Sequence, residues 1–388
     1  MKFAHIADCH IGGWKDINLK ELSIKSFESA IDICIKENVA FVLIAGDLFN
    51  TSLPNIDLIK RTTRILSRLK EHDIEVYIIP GSHDFSPSGK TMIDVLDNSG
   101  LVNNVMKIKD NQLIFTHDKT GVKITGLVGL RSGLDKYYYE SLDFSNLENE
   151  NGFKIFMLHN TINELKPKDM EKVDGMNLSL LPKNFDYYAA GHVHFIKETD
   201  FLKGKLVYPG PLFPNNFKEL EELKHGGFYI YDNENLRYIP IKLKNTIYIE
   251  INANGKTSRD VEDEILDIKD FDDKILLLRI QGELKEGKSS DINFKAISEK
   301  FRDAYSFLKN TTKLTSKEFS NLEVKEGEIS DVESEIIKEF NLNYDEGLIT
   351  ELMNALDNEK NEGERNADFE RRLLKDLEKF IENDNKKN

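Results

Sequence analysis

Tyr187-Tyr188-Ala189-Ala190-Gly191-His192-Val193-His194 decides how the chain is read. Aromatic and small apolar residues follow one another without polar alternation, as in a strand buried on both faces. Gly191 ends the run and lets the backbone turn sharply. His192 and His194 follow at a spacing that, in extended chain, points both imidazoles the same way. A lone His-x-His is more often an accident than a metal clamp. Its meaning therefore depends on what the other strands bring to the same edge.

Working outward, four more apolar runs end alike. Residues 2–7 run into Asp8-Cys9-His10, 40–45 into Gly46-Asp47, 75–80 into Gly81-Ser82-His83-Asp84, and 153–158 into His159-Asn160. Helical patterns lie between the first three. One carries Phe27, Ala30, Ile31 and Cys34 at helical spacing. The next, 56–70, has Ile56, Ile59, Leu66 and Leu69 as its apolar stripe and Arg61, Arg64, Arg68 and Lys70 as a basic face. A third helix starts near Thr91. Apolar strands alternating with helices predict stacked βαβ units and a mostly parallel sheet. Segments 112–116 and 122–128 read as a hairpin around Asp118-Lys119-Thr120-Gly121, and 131–151 as a polar connection containing Tyr137-Tyr138-Tyr139. Further strands are expected at 206–211, 227–231 and 236–241. The fold class is therefore α/β, a two-sheet α/β/β/α sandwich.

Beyond 242–245 the pattern changes. Strands at 246–253 and 274–284 with helices at 259–267 and 293–308 predict a small α+β unit. Residues 315–330 lack periodicity and read as a linker. Three short helical stripes close the chain. The expected organisation is 1–243 as the main domain, 244–314 as a cap, 315–330 as linker and 331–388 as C-terminal helices.

Composition narrows the function. The chain has 388 residues, 39% hydrophobic and 31% charged, with no apolar run long enough to span a bilayer. It opens on a strand-like run rather than a signal-peptide pattern, so a cytoplasmic location is expected. Two cysteines allow neither a zinc–cysteine site nor a disulfide framework. Residues 1–240 hold 28 Lys and Arg against 33 Asp and Glu, and the remaining 148 hold 25 against 35, out of a net charge of −15. That argues against a simple basic DNA-binding module. It leaves room for an enzyme that meets phosphates through metal ions.

Five of the nine histidines, His10, His83, His159, His192 and His194, sit where buried strands exit, together with Asp8 and Asp47. In α/β sheets those exits share one edge, where ligands bind. Histidine and aspartate without thiolate suit Mn²⁺, Fe²⁺ or Zn²⁺. Six or seven such donors exceed one site and fit two ions about 3.5–4 Å apart, with a carboxylate bridging them. Such a pair polarises a phosphoryl group and activates water.

Taken together, Asp8-x-His10, Gly46-Asp47, Gly81-x-His83-Asp84, His159 and Gly191-His192-x-His194 resemble the calcineurin-like metallophosphoesterase superfamily. Within it, residues 3–12 and Gly46-Asp47-Leu48-Phe49 are similar to the SbcD-type nucleases, the meiotic-recombination-eleven family of archaeal and bacterial double-strand break repair. The resemblance implies that Asp8, His10, Asp47 and His194 hold one metal and that Asp47, His159 and His192 hold the other. It implies that His83 is the catalytic histidine, with Asp84 beside it holding its tautomer. The family has Asn where this chain has Ser82. That hydroxyl is either a weak ligand or a hydrogen-bonding neighbour, and the second ion is expected to bind more loosely.

The cofactors so implied are two divalent ions, Mn²⁺ foremost. The activity implied is a DNA exonuclease and endonuclease. The partners implied are DNA ends and single strands, a second copy through helix 56–70 and the helix after Thr91, and a coiled-coil ATPase of the SbcC or Rad-fifty type through 331–388. No membrane is implied. Two other functions fit the same residues: a phosphatase or small-molecule phosphodiesterase, and a DNA-end-binding scaffold whose catalysis Ser82 impairs.

Overall fold

The apolar runs pair as two six-stranded sheets in the structure, a computed structural model that describes residues 1–86, 91–130, 136–170 and 173–316. The first sheet runs in the order Asn235–Ile241, Gly226–Asp232, Lys2–Ile6, Phe41–Ala45, Glu75–Ile79, Asn103–Asn104. Its last four strands are parallel, and the two at the other end are antiparallel. The second runs Lys197–Phe201, Gly204–Tyr208, Tyr187–Gly191, Lys154–His159, Lys123–Gly126, Thr116–His117. Its four central strands are parallel, with an antiparallel strand at each edge.

The strands lack polar alternation because both of their faces are covered. Phe3, Phe41, Leu43, Tyr77, Ile155, Met157 and Tyr187 fill the space between the sheets. Ala4, Ile6, Val42, Ile44 and Ile78 face three helices on the outside of the first sheet: α1 (Ile17–Lys36), α2 (Ile56–Glu71) and α3 (Met92–Asn98). Phe156, Leu158, Tyr188 and Leu206 form the outer core of the second sheet. Cys9 and Cys34 are buried in the first outer core, and burial pushes both thiols up.

Several sequence expectations are corrected here. The buried stripe of α2 is Leu58, Thr62, Ile65, Leu66 and Leu69, whereas Ile56 is 83% exposed. Its basic face is partly absorbed by α1: Arg61 forms two 2.7 Å hydrogen bonds to Glu21, and Arg68 pairs with Asp32 and Glu28. The 112–116 segment divides, because Gln112–Leu113 pairs with Ile108–Lys109 and Thr116–His117 with Lys123–Gly126. The described part of 131–151 contains two short helices, Lys136–Ser141 and Ser145–Glu148.

The cap segment forms a three-stranded sheet ordered Thr246–Asn252, Ile275–Leu284, Ser306–Ser316. Helices Ser258–Leu266 and Phe294–Lys300 share its core through Val261, Ile265, Leu276, Leu278, Ile297 and Phe301. The helix expected at 293–308 stops at Lys300, and its tail becomes part of the third strand. The linker beyond Ser316 and the C-terminal helices at 331–388 lie outside the described residues.

Candidate metal centre

Parallel pairing brings the strand exits together. Register Gly191↔His159 sets the second sheet's two exits side by side, and Ile6↔Ile44 with Ile44↔Ile78 aligns three in the first. Past those exits the loops stay joined. The amide of His10 donates to the Asp47 carbonyl at 3.0 Å and that of Ile11 to Leu48 at 3.0 Å. The Asp8 carboxylate accepts from the His192 amide at 3.0 Å, which ties the two sheets at their rims.

The expectation that His192 and His194 share a face of extended chain is not met. Asp8, His10, Asp47 and His192 have φ of 50°, 41°, 50° and 91°. Each turns through the left-handed region as its strand ends, and strained non-glycine residues of this kind concentrate at functional sites. The donors converge because their loops curl inward. Two glycines make this possible by close approach. A Cβ at Gly46 would lie 2.1 Å from His159 Nδ1, and one at Gly191 would lie 2.1 Å from the Ala45 carbonyl.

Among the described residues three donor groups result, each with ligand atoms within 4.8 Å of one another: Asp8, His10 and His194; Asp8, Asp47 and His159; and His10, Asp47 and His83. Asp47 lies between them, with Oδ2 3.7 Å from His10 Nε2 and 3.1 Å from His159 Nε2. The Nε2 atoms of His10 and His194 are 3.0 Å apart. His192 enters none of the three groups, and its ring packs 5.1 Å from that of His159. Asp8, His10, Asp47 and His159 are buried, while His83, His192 and His194 are half-buried and mark the open side. Ser82 is buried beside His83.

Tautomers follow from the outer contacts. His159 Nδ1–H donates to the Ala45 carbonyl at 2.8 Å, which leaves Nε2 unprotonated in the neutral ring. His194 Nδ1 lies 2.8 Å from Glu219 Oε1. His83 donates from Nδ1 to the Asn50 carbonyl at 2.8 Å, and its amide donates to Asp47 Oδ1 at 2.8 Å. Asp84 therefore does not hold the His83 tautomer as expected. Its oxygens accept from the amides of Gly81, Leu48 and Phe49 at 3.1–3.2 Å and fix the backbone that follows Asp47. Asn50 and Glu219 were missed because their contacts span 33 and 25 residues and belong to no sequence pattern.

The donor set fits a pair of divalent ions. His159 Nε2 is buried with no aligned hydrogen-bond partner and faces Asp47 Oδ2 at 3.1 Å. Burial lowers His10 to about 3 and His192 to about 4, so both are neutral and able to coordinate. Burial also lowers His159, but Asp47 and Asp8 override it and raise the ring to about 10. The two carboxylates thus demand a cation at that point, and a proton supplies it when no metal does. Burial likewise pushes Asp47 up, but His159, His10 and the His83 amide hold it well below the usual carboxylate range. Burial raises Asp8 to about 6.

The chain belongs to the calcineurin-like phosphoesterase family, whose profile matches residues 1–195. It is similar along nearly its whole length to proteins named DNA double-strand break repair protein Mre11. The one from Archaeoglobus fulgidus is 25% identical, with the alignment covering 91% of this chain and 82% of that one. The one from Methanocaldococcus jannaschii is 27% identical, covering 93% and 96%. Among solved structures, a dimetal phosphatase from Danio rerio aligns with a TM-score of 0.42 and 13% identity, over 62% of this chain and 95% of its own.

Proposed function

We propose that this phosphoesterase is a Mn²⁺-dependent DNA nuclease of double-strand break repair that hydrolyses phosphodiester bonds with two divalent ions. The observation that supports this best is how far the similarity extends. Beyond residue 195 it continues through the cap segment and covers more than nine tenths of the chain. In this reading Asp8, His10, Asp47 and His194 hold one ion, and Asp47, His159 and His192 hold the other. When bound, the ions withdraw charge from the phosphoryl oxygens and lower the pKa of water.

The protein's own groups do the rest. Asp47 reaches toward both ligand sets. The Gly81–Asp84 turn holds Asp47 Oδ1 through the His83 amide. His83, fixed by Asn50, presents Nε2 on the open side, where it protonates the leaving oxygen or stabilises the charged transition state. Ser82, in place of the family's Asn, leaves the second ion the weaker one. The chain would act in the cytoplasm as a homodimer through α2 and α3, with a coiled-coil ATPase as partner and DNA ends and single strands as substrate.

The test is cleavage of end-labelled duplex DNA in Mn²⁺. The unaltered chain should cut, His83→Ala should lose at least about 10²-fold in rate, and Ser82→Asn should cut at lower Mn²⁺. No cleavage at saturating Mn²⁺, with and without the ATPase, rejects the nuclease assignment.

A further inference from the structure

The helix Phe217–Leu223, which carries Glu219, touches both the metal centre and the cap segment. Its inner side carries Glu219. Oε1 of Glu219 lies 2.8 Å from His194 Nδ1, and Oε2 accepts the Asn215 amide at 2.7 Å. Asn215 Nδ2 then donates to Asn50 Oδ1 at 3.3 Å, and the carbonyl of Asn50 holds His83. One run of hydrogen bonds therefore joins a candidate metal ligand to the candidate catalytic histidine.

The other side of this helix belongs to the cap. Arg279 donates to Glu221 from two of its three guanidinium nitrogens, Nε and Nη2, and the guanidinium lies 5.2 Å from the centre of the Phe217 ring. Arg279 sits in the central cap strand. Leu220 is fully buried in a cluster with Leu19, Leu22, Phe213, Ile275 and Leu277, which joins α1 to that strand. The side chains of Arg279 and Glu221 are 14% and 21% exposed, so the pair is partly shielded from solvent.

We propose that Glu219 is a positioning residue for His194 and that the cap holds it in place through the Arg279–Glu221 pair, so that metal affinity depends on the seating of the cap. A carboxylate on the outer nitrogen of a ligating histidine fixes its tautomer and raises its basicity. The inference rests on the metal centre assigned above.

The experiment is Mn²⁺ titration calorimetry on the full chain and on Glu219→Ala, Glu219→Gln and Arg279→Ala, with metal-free folding checked by circular dichroism. Glu219→Ala should weaken one of two sites about ten- to a hundredfold and spare the other. Glu219→Gln keeps an oxygen acceptor for the His194 N–H and should recover most of that loss. Arg279→Ala, which removes the pair with Glu221, should weaken the same site about threefold, the range expected for losing one partly exposed pair. If the unaltered chain takes up no Mn²⁺, the metal centre falls and this inference with it. If it does, and Glu219→Ala leaves its affinities unchanged or weakens both sites equally, only the positioning role is overturned. An Arg279→Ala isotherm identical to that of the unaltered chain removes the link to the cap.

Discussion

Asp8, His10, Asp47 and His192 share a left-handed backbone that costs roughly 1–2 kcal/mol for a residue with a Cβ. The neighbouring glycines keep that cost from growing. Gly46 has φ +84°, and its missing Cβ leaves the room that His159 Nδ1 occupies. Gly46→Ala should therefore lower stability by about 1–3 kcal/mol and abolish binding at the site that uses His159; thermal melts with and without Mn²⁺ would show both effects.

Protonation gives a second expectation. In the metal-free centre His159 titrates at about 10 and Asp8 at about 6, so at pH 7 His159 is charged and must give up its proton to coordinate. His10 and His192, at about 3 and 4, have no proton to lose. Burial lowers His194, but Glu219 and Asp8 raise it overall, so it too is partly charged at pH 7. Mn²⁺ binding should therefore release more than one proton at pH 7, and apparent affinity should rise between pH 6 and 9. Calorimetry in two buffers of different ionisation enthalpy measures that release. The identity of these donors was legible in the sequence, since each follows a buried strand. How they converge was not: the period-2 rule fails where φ changes sign, and Asn50 and Glu219 act through contacts that only folding creates.

Among the elements, α2 shows a helix whose bounds and second half were legible and whose first turns were not. Its bounds were nearly right, with Asn55 capping the Leu58 amide at 2.9 Å. Leu66 and Leu69 are buried as expected, but in the first half of the helix Leu58 and Thr62 face inward in place of Ile56 and Ile59. The two classes of site should respond differently. Leu66→Ala, at a fully buried position, should cost about 2–5 kcal/mol, and Ile56→Ala less than about 0.5 kcal/mol, both read by urea unfolding. Strands with little apolar signal were the least legible. Lys197–Phe201 was missed because an edge strand with one covered side can be largely charged. Ser306–Ser316 was taken in part for helix because the cap's third strand is itself half exposed.

For the whole molecule, net charge sets the terms of its encounter with nucleic acid. At −15 the chain repels a polyanion unless metal ions intervene. If DNA is the substrate and metal ions meet its phosphates, binding to an uncleavable phosphorothioate duplex should be weak in EDTA and strengthened by Mn²⁺, with a shallow dependence on monovalent salt. Fluorescence anisotropy tests this, and tight metal-free binding with a steep salt slope would instead require a basic groove. The strands of the sandwich and of the three-stranded sheet could be anticipated from their apolar runs, whereas the cluster that joins them could not, since Trp14, Phe217 and Tyr248 pack on it from three distant segments.

Both cysteines are buried and their thiols are pushed up, so neither offers a thiolate to an electrophile near neutral pH. The natural chain is thus a silent background for thiol chemistry, with nothing to delete before adding a label. Cysteines placed at the exposed positions Glu71 on the sandwich and Asp263 on the cap would be the only reactive ones. A dye or spin-label pair on them would report, molecule by molecule, whether the segment 244–314 shifts against the sandwich when Mn²⁺ is added.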